Sequence, residues 1–145
     1  LRNVFLSTII YSKLIIHAWR GSDCSLDVKQ LNEQLYKNRP PVGSTSHCDC
    51  QECVFYAVKI MLNEFVVNFL YERGLHPLKA DEVWCYKEDD GFKYYCVDFF
   101  EVFAMKEQSL IFDVGKLIIA SNPFAENEHY RHALTIDIRL QKIGS

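Results

Sequence analysis

The segment from Cys53 to Gly74, CVFYAVKIMLNEFVVNFLYERG, decides how the rest of the chain is read. At 100° per residue, Val54, Phe55, Val58, Met61, Leu62, Phe65, Val66 and Phe69 fall in one broad apolar arc, the pattern of a helix that faces a core. The other side carries Lys59, Asn63, Glu64 and Asn68. It also carries Tyr56, Ile60, Val67 and Tyr71, so a second layer is expected to cover the back. Gly74, Leu75 and then His76-Pro77 form a stop signal. Glycine takes the left-handed cap, leucine folds back, and proline prevents continuation.

Upstream, Val4 to Ile16 is apolar but interrupted by Ser7, Thr8, Ser12 and Lys13, too short and too polar to span a membrane. It reads as a core-covering helix. Val28, Leu31 and Leu35 at helical spacing, after Ser25 and Asp27, make a short amphipathic helix that ends at Arg39-Pro40-Pro41. The loop from Pro40 to Gln51 then carries Gly43-Ser44-Thr45-Ser46 and a cysteine cluster.

Downstream the apolar period changes from 3.6 to 2, which marks a sheet. Asp90-Gly91 is a two-residue turn signal that pairs Trp84 with Val97, Cys85 with Cys96 and Tyr86 with Tyr95. Leu110, Phe112 and Val114 begin a third strand, with Gly115 as a bulge before Leu117 to Ile119 and Asn122-Pro123 at its end. In the fourth strand His132, Leu134, Ile136, Ile138 and Leu140 alternate with Ala133, Thr135, Asp137, Arg139 and Gln141, so one of its faces is buried.

The expected fold is therefore α+β: a long central helix packed on a four-stranded antiparallel sheet, with N-terminal helices over the helix back. One domain spans residues 1–145, with 1–39 as helical cover, 40–52 as cysteine-rich loop and 53–145 as helix plus sheet. The start at Leu1 suggests a processed product or a region of something longer, and Gly144-Ser145 is either a native end or a scar.

The order of helix, proline-containing link, hairpin and two further strands resembles the cystatin/monellin-like superfamily, as do Val67 to Tyr71 and Lys93 to Val102. The resemblance implies the fold just described. It also raises protease inhibition, which in cystatins uses a Gln-x-Val-x-Gly hairpin loop and a Pro-Trp loop. Here the first loop is Lys87 to Gly91, where only the glycine remains, and the second is Asn122-Pro123-Phe124. Three consecutive carboxylates must be desolvated or paired to enter a cleft, which works against that function.

Net charge of −3 and an isoelectric point near 5.9 give no basic footprint, so no nucleic-acid partner is expected. No phosphate-binding loop or hydrolase elbow is present. The chemistry-bearing residues concentrate in His47-Cys48-Asp49-Cys50-Gln51-Glu52-Cys53, where Cys50-x-x-Cys53 has zinc-knuckle spacing and His47, Cys48 or Cys24 could complete the ligands. Small buried or free thiols are the alternative.

Cys53 at a helix N-terminus also suits a nucleophile, and His132 with Ala133 to Ile136 is similar to the histidine strand of papain-like proteases. Against it, no acid or amide lies at the usual distance beyond His132 and Asp137 points to the opposite face, so a core histidine hydrogen-bonded to backbone is the favoured reading of His132. Cys85 opposite Cys96 gives Cα atoms about 5.5 Å apart, compatible with a disulfide or with two small core residues. The leading expectation is a non-enzymatic interaction or structural domain with a protein partner or neighbouring domain, intracellular and without a membrane segment. A papain-like (auto)protease using Cys53 and His132, a zinc-stabilised module and a cystatin-type inhibitor are the alternatives.

Overall fold

A computed structural model describes residues 24–104, 106–121 and 131–144, with the side chains of 24–27 and of Arg131 excepted. The expected opening helix, the Asn122-Pro123-Phe124 loop and Ser145 lie outside the described residues. In order, the elements are α1 (Cys24–Tyr36), α2 (Gln51–Ile60), α3 (Glu64–Tyr71), a 3-10 turn (Pro77–Lys79), and strands β1 (Glu82–Lys87), β2 (Phe92–Phe103), β3 (Gln108–Phe112), β4 (Gly115–Ser121) and β5 (Arg131–Lys142). The sheet is antiparallel throughout, in the order β1-β2-β5-β4-β3.

The long central helix on a four-stranded sheet is thereby corrected to three short helices and five strands among the described residues. Cys53 to Gly74 does not form one helix: α2 and α3 meet at 84°. Two hydrogen bonds of the tighter i→i−3 kind close α2, from Leu62 N–H to Lys59 O and from Asn63 N–H to Ile60 O. Asn63 then takes an extended conformation and its side chain accepts the Val66 N–H at 2.9 Å. A cap of this kind is worth about 1 kcal/mol. Once the axis turns, each helix buries its own face: Tyr56 and Ile60 from α2, and Val66, Phe69 and Leu70 from α3. Leu62, on the expected inner arc, is 72% exposed at the bend, and Val54 and Val58 are exposed as well. Tyr56 and Ile60, assigned to the back, are completely buried. An apolar population on both sides of the wheel left the direction of packing to the tertiary contacts.

The stop at Gly74 is realised with φ +77°, and the Leu75 N–H returns to the Leu70 carbonyl at 2.9 Å. A Cβ at Gly74 would lie 2.0 Å from the Lys29 carbonyl oxygen, so glycine also permits α1 to cross closely here. The fully buried Asn32 of α1 secures that crossing. Its amide donates to the carbonyls of Arg73 at 2.8 Å and Phe103 at 2.9 Å, and its oxygen accepts the Phe103 N–H at 2.7 Å.

The fifth strand arises at Asp113-Val114. Gly115 is not a bulge in one continuous strand but the first residue of β4, paired with Phe112 across a tight turn. A Cβ on Gly115 would lie 2.2 Å from the Asp137 carbonyl oxygen of β5. Inward side chains of three strands, Tyr95, Val97 and Phe99 with Leu117 and with Leu134, Ile136 and Ile138, meet the helices in a fully buried core.

The first hairpin shows a one-residue correction in register. Cys85 pairs with Tyr95 and Cys96 with Trp84. The connection is Asp89-Asp90-Gly91 rather than Asp90-Gly91, with Gly91 at φ +84° and its N–H donated to the Glu88 carbonyl. This is the three-residue loop with a left-handed glycine. Because directly opposed residues share a face and successive residues alternate, Cys85 and Cys96 lie on opposite faces of the sheet. The disulfide that the two-residue turn allowed is therefore geometrically excluded. Among the described residues no single helix is long and apolar enough to cross a membrane.

Candidate metal centre

The segment between α1 and α2 is irregular but fastened at many points. The Val42 N–H donates to Leu78 O at 2.7 Å, Gly43 N–H to Cys48 O at 2.9 Å, and His47 N–H to Ser44 O at 3.1 Å. The Lys79 ammonium donates to the carbonyls of Lys37 and Arg39, and the Arg39 guanidinium pairs with Asp81. Tyr36 adds a hydroxyl donated to the same Asp81 carboxylate at 2.9 Å. These fastenings deliver the chain to the start of α2 with its three cysteines converged.

The Sγ atoms of Cys48, Cys50 and Cys53 all lie within 4.8 Å of one another. Cys48 is half-buried, Cys50 exposed and Cys53 buried. The helix begins at Gln51, two residues earlier than its sequence pattern suggests, and this reassigns the roles. Cys50 is the N-cap residue, in an extended conformation, while Cys53 lies inside the first turn. The Cys50 sulfur makes no cap hydrogen bond of ordinary geometry, yet its pKa is lowered. The backbone N–H of Cys53 contributes most to this, followed by the Cys48 and Cys53 thiols. Unpaired N–H groups at a helix start favour a thiolate in this way. Burial, reinforced by Cys48 and Cys50, pushes the Cys53 thiol the opposite way, up to about 12.

Glu52 faces away from the sulfurs and toward the sheet. Its carboxylate accepts from the Lys93 ammonium at 2.6 Å and from the Cys85 thiol at 3.2 Å. Lys93, then Cys85, holds it below the usual carboxylate range. The Cys85 thiol is raised by burial and then by Glu52. These contacts anchor the first turn of α2 to β1 and β2.

His47 does not join the sulfur group. Its Nε2–H donates to the Ala80 carbonyl at 3.2 Å, and its Nδ1 is buried without a hydrogen-bond partner among the described residues. Cys24 opens α1 at the end remote from the loop that α1 feeds. The four-ligand set His47, Cys48, Cys50 and Cys53 is thus reduced to three converged sulfurs.

Cys53 and His132 are not brought together. Cys53 sits beside Glu52, which is tied to Lys93 and to Cys85; Cys85 pairs with Tyr95, and Tyr95 with Ile138. His132 pairs instead with Val102 and Ser121, and the run of β5 from Ile138 to His132 is ~20 Å at about 3.3 Å per residue. Base and nucleophile need hydrogen-bond reach. Cys53 is buried, and that burial raises its thiol pKa. His132 Nδ1 is buried and has no hydrogen-bond partner among the described residues.

Two features of this region escaped the sequence pattern. The anchoring of Glu52 by Lys93 depends on where a distant hairpin comes to rest, and no local spacing reports it. The start of α2 at Gln51 was hidden because the apolar periodicity begins only at Cys53. No family model, curated protein or solved structure matches the chain.

Proposed function

We propose that the chain is a non-enzymatic interaction domain in which Cys48, Cys50 and Cys53 bind a zinc ion that stiffens the loop as part of a protein-docking surface. The observation that carries this reading is the convergence of three sulfurs within 4.8 Å at the start of α2. Zinc–thiolate bonds of about 2.3 Å in a tetrahedron place sulfurs about 3.8 Å apart, so the loop needs to close by no more than ~1 Å. With three sulfurs as ligands, a tetrahedral zinc would take its fourth ligand from a water or a partner's side chain. Thiolates are the species that bind, so metal uptake must expel thiol protons, and burial makes the Cys53 proton harder to displace than that of Cys50.

The test is metal content and spectroscopy on protein purified without chelator. About one zinc per chain is expected, lost in Cys50→Ser, with thiolate-to-metal charge-transfer bands when cobalt(II) replaces zinc. Substoichiometric zinc together with cobalt spectra lacking a thiolate band would end the reading.

A further inference from the structure

The sheet face opposite the helices carries a second built feature. Trp84 and Tyr86 of β1, Cys96 of β2, Thr135 and Asp137 of β5, and Lys116 and Ile118 of β4 line a trough of about 240 Å³. The central strands supply its low floor, with small side chains at Cys96 and Thr135, and the flanking strands supply the walls. On one wall Trp84 is 49% exposed and lies 5.5 Å from Tyr86, which stacks in turn on Tyr94 at 5.6 Å. The Tyr86 hydroxyl donates to Asp137 and stands 2.8 Å from both carboxylate oxygens. Thr135 donates to Asp98 at 2.8 Å. These bonds hold two carboxylates in place without neutralising them. Lys116, the cation of the opposite wall, makes no ion pair among the described residues.

An oriented carboxylate beside an exposed indole suits a planar cation. The negative field is felt locally: after burial, Asp98, Asp137 and Glu82 are what push the Cys96 thiol up to about 12. Size narrows the ligand further. Small-molecule sites run to roughly 300–1,000 Å³, so a trough below that range accommodates a single side chain better than a whole metabolite.

We propose that this trough binds an arginine side chain of a protein partner, the guanidinium stacking on Trp84 and directing its fork of N–H groups at Asp137. Arginine meets both requirements at once, since its flat face matches the indole and its edge matches the carboxylate. The proposal rests on the interaction-domain reading and adds a second contact surface that does not involve the cysteine loop. Metal content and peptide binding are read separately, so a failure of the zinc reading and a failure of the arginine reading are distinguishable.

The test uses the full chain with Trp19→Phe, so that Trp84 is the sole indole reporter, titrated with an end-capped Gly/Ser peptide bearing one arginine. A saturable change in Trp84 fluorescence is expected with arginine and none with citrulline, its neutral isostere. By calorimetry, Trp84→Ala and Asp137→Asn are each expected to weaken binding about 5-fold. Lys116→Gln, which removes the competing cation without touching the floor, is expected to strengthen it about 2-fold. Equal binding of the citrulline or lysine peptide would overturn the proposal. So would unchanged affinity in folded Asp137→Asn, or the absence of a saturable signal with arginine.

Discussion

Replacing Asn32 with alanine probes the joint that holds α1 against both the end of α3 and β2. The side chain is fully buried and makes three hydrogen bonds, all to backbone groups: the carbonyls of Arg73 and Phe103 and the N–H of Phe103. Each such bond contributes about 1 kcal/mol net, and somewhat more where the abandoned group stays buried, which gives a loss of about 3–4.5 kcal/mol. Alanine recovers about 0.6 kcal/mol through its better helix propensity, leaving an expected loss of about 3 kcal/mol. For a domain of this size that is a fall in Tm of about 10 °C. Urea denaturation of the variant, beside Gln34→Ala on the exposed side of the same helix, measures it. The control is expected to change stability by less than about 0.5 kcal/mol. A loss below about 1 kcal/mol for Asn32→Ala, or one equal to the control, would refute the view that this amide anchors α1 to the sheet.

Glu52 has its pKa depressed by Lys93 and then by Cys85, so its contribution to stability is fully present above the unfolded value near 4.5 and is lost as pH falls through the lower folded value. Wild type is therefore expected to exceed Glu52→Gln in stability at pH 7, with the difference closing below about pH 4.5, and a pH-independent difference in urea midpoints would contradict the assignment. Cys85 and Cys96, on opposite faces of the sheet, are expected to form no bridge when the folded protein is treated with an oxidant. Recovery of a Cys85–Cys96 linked peptide under native conditions would show that the hairpin adopts the two-residue turn register instead.

The legible parts of the fold are those set by local chemistry. The alternation from His132 to Gln141 requires no partner to be read, and the inward Leu134, Ile136 and Ile138 of β5 are completely buried. Gly74 and Gly91 mark chain reversals because both occupy backbone conformations with positive φ that other residues avoid. Asn63 caps α3 in the structure, but the apolar wheel runs unbroken through it, and a continuous arc outweighs one cap when helices are judged by periodicity alone. The site divides in the same way: the spacing of Cys48, Cys50 and Cys53 is visible in the chain, but the positions of His47 and His132 are set by strands and turns remote in sequence.

What the sequence determined by itself is where apolar periods change, where the chain reverses, and that three thiols stand close along it. The tertiary structure alone decided the rest. A turn of three residues rather than two set the register that separates Cys85 from Cys96, since one residue of slip moves every side chain to the other face. The 84° bend at Asn63 decided which sides of α2 and α3 are buried, because both sides offered enough apolar surface and only the sheet could choose between them. Beginning α2 at Gln51 gave the helix N-terminus to Cys50 and burial to Cys53, and so made neighbouring thiols of one motif chemically opposite.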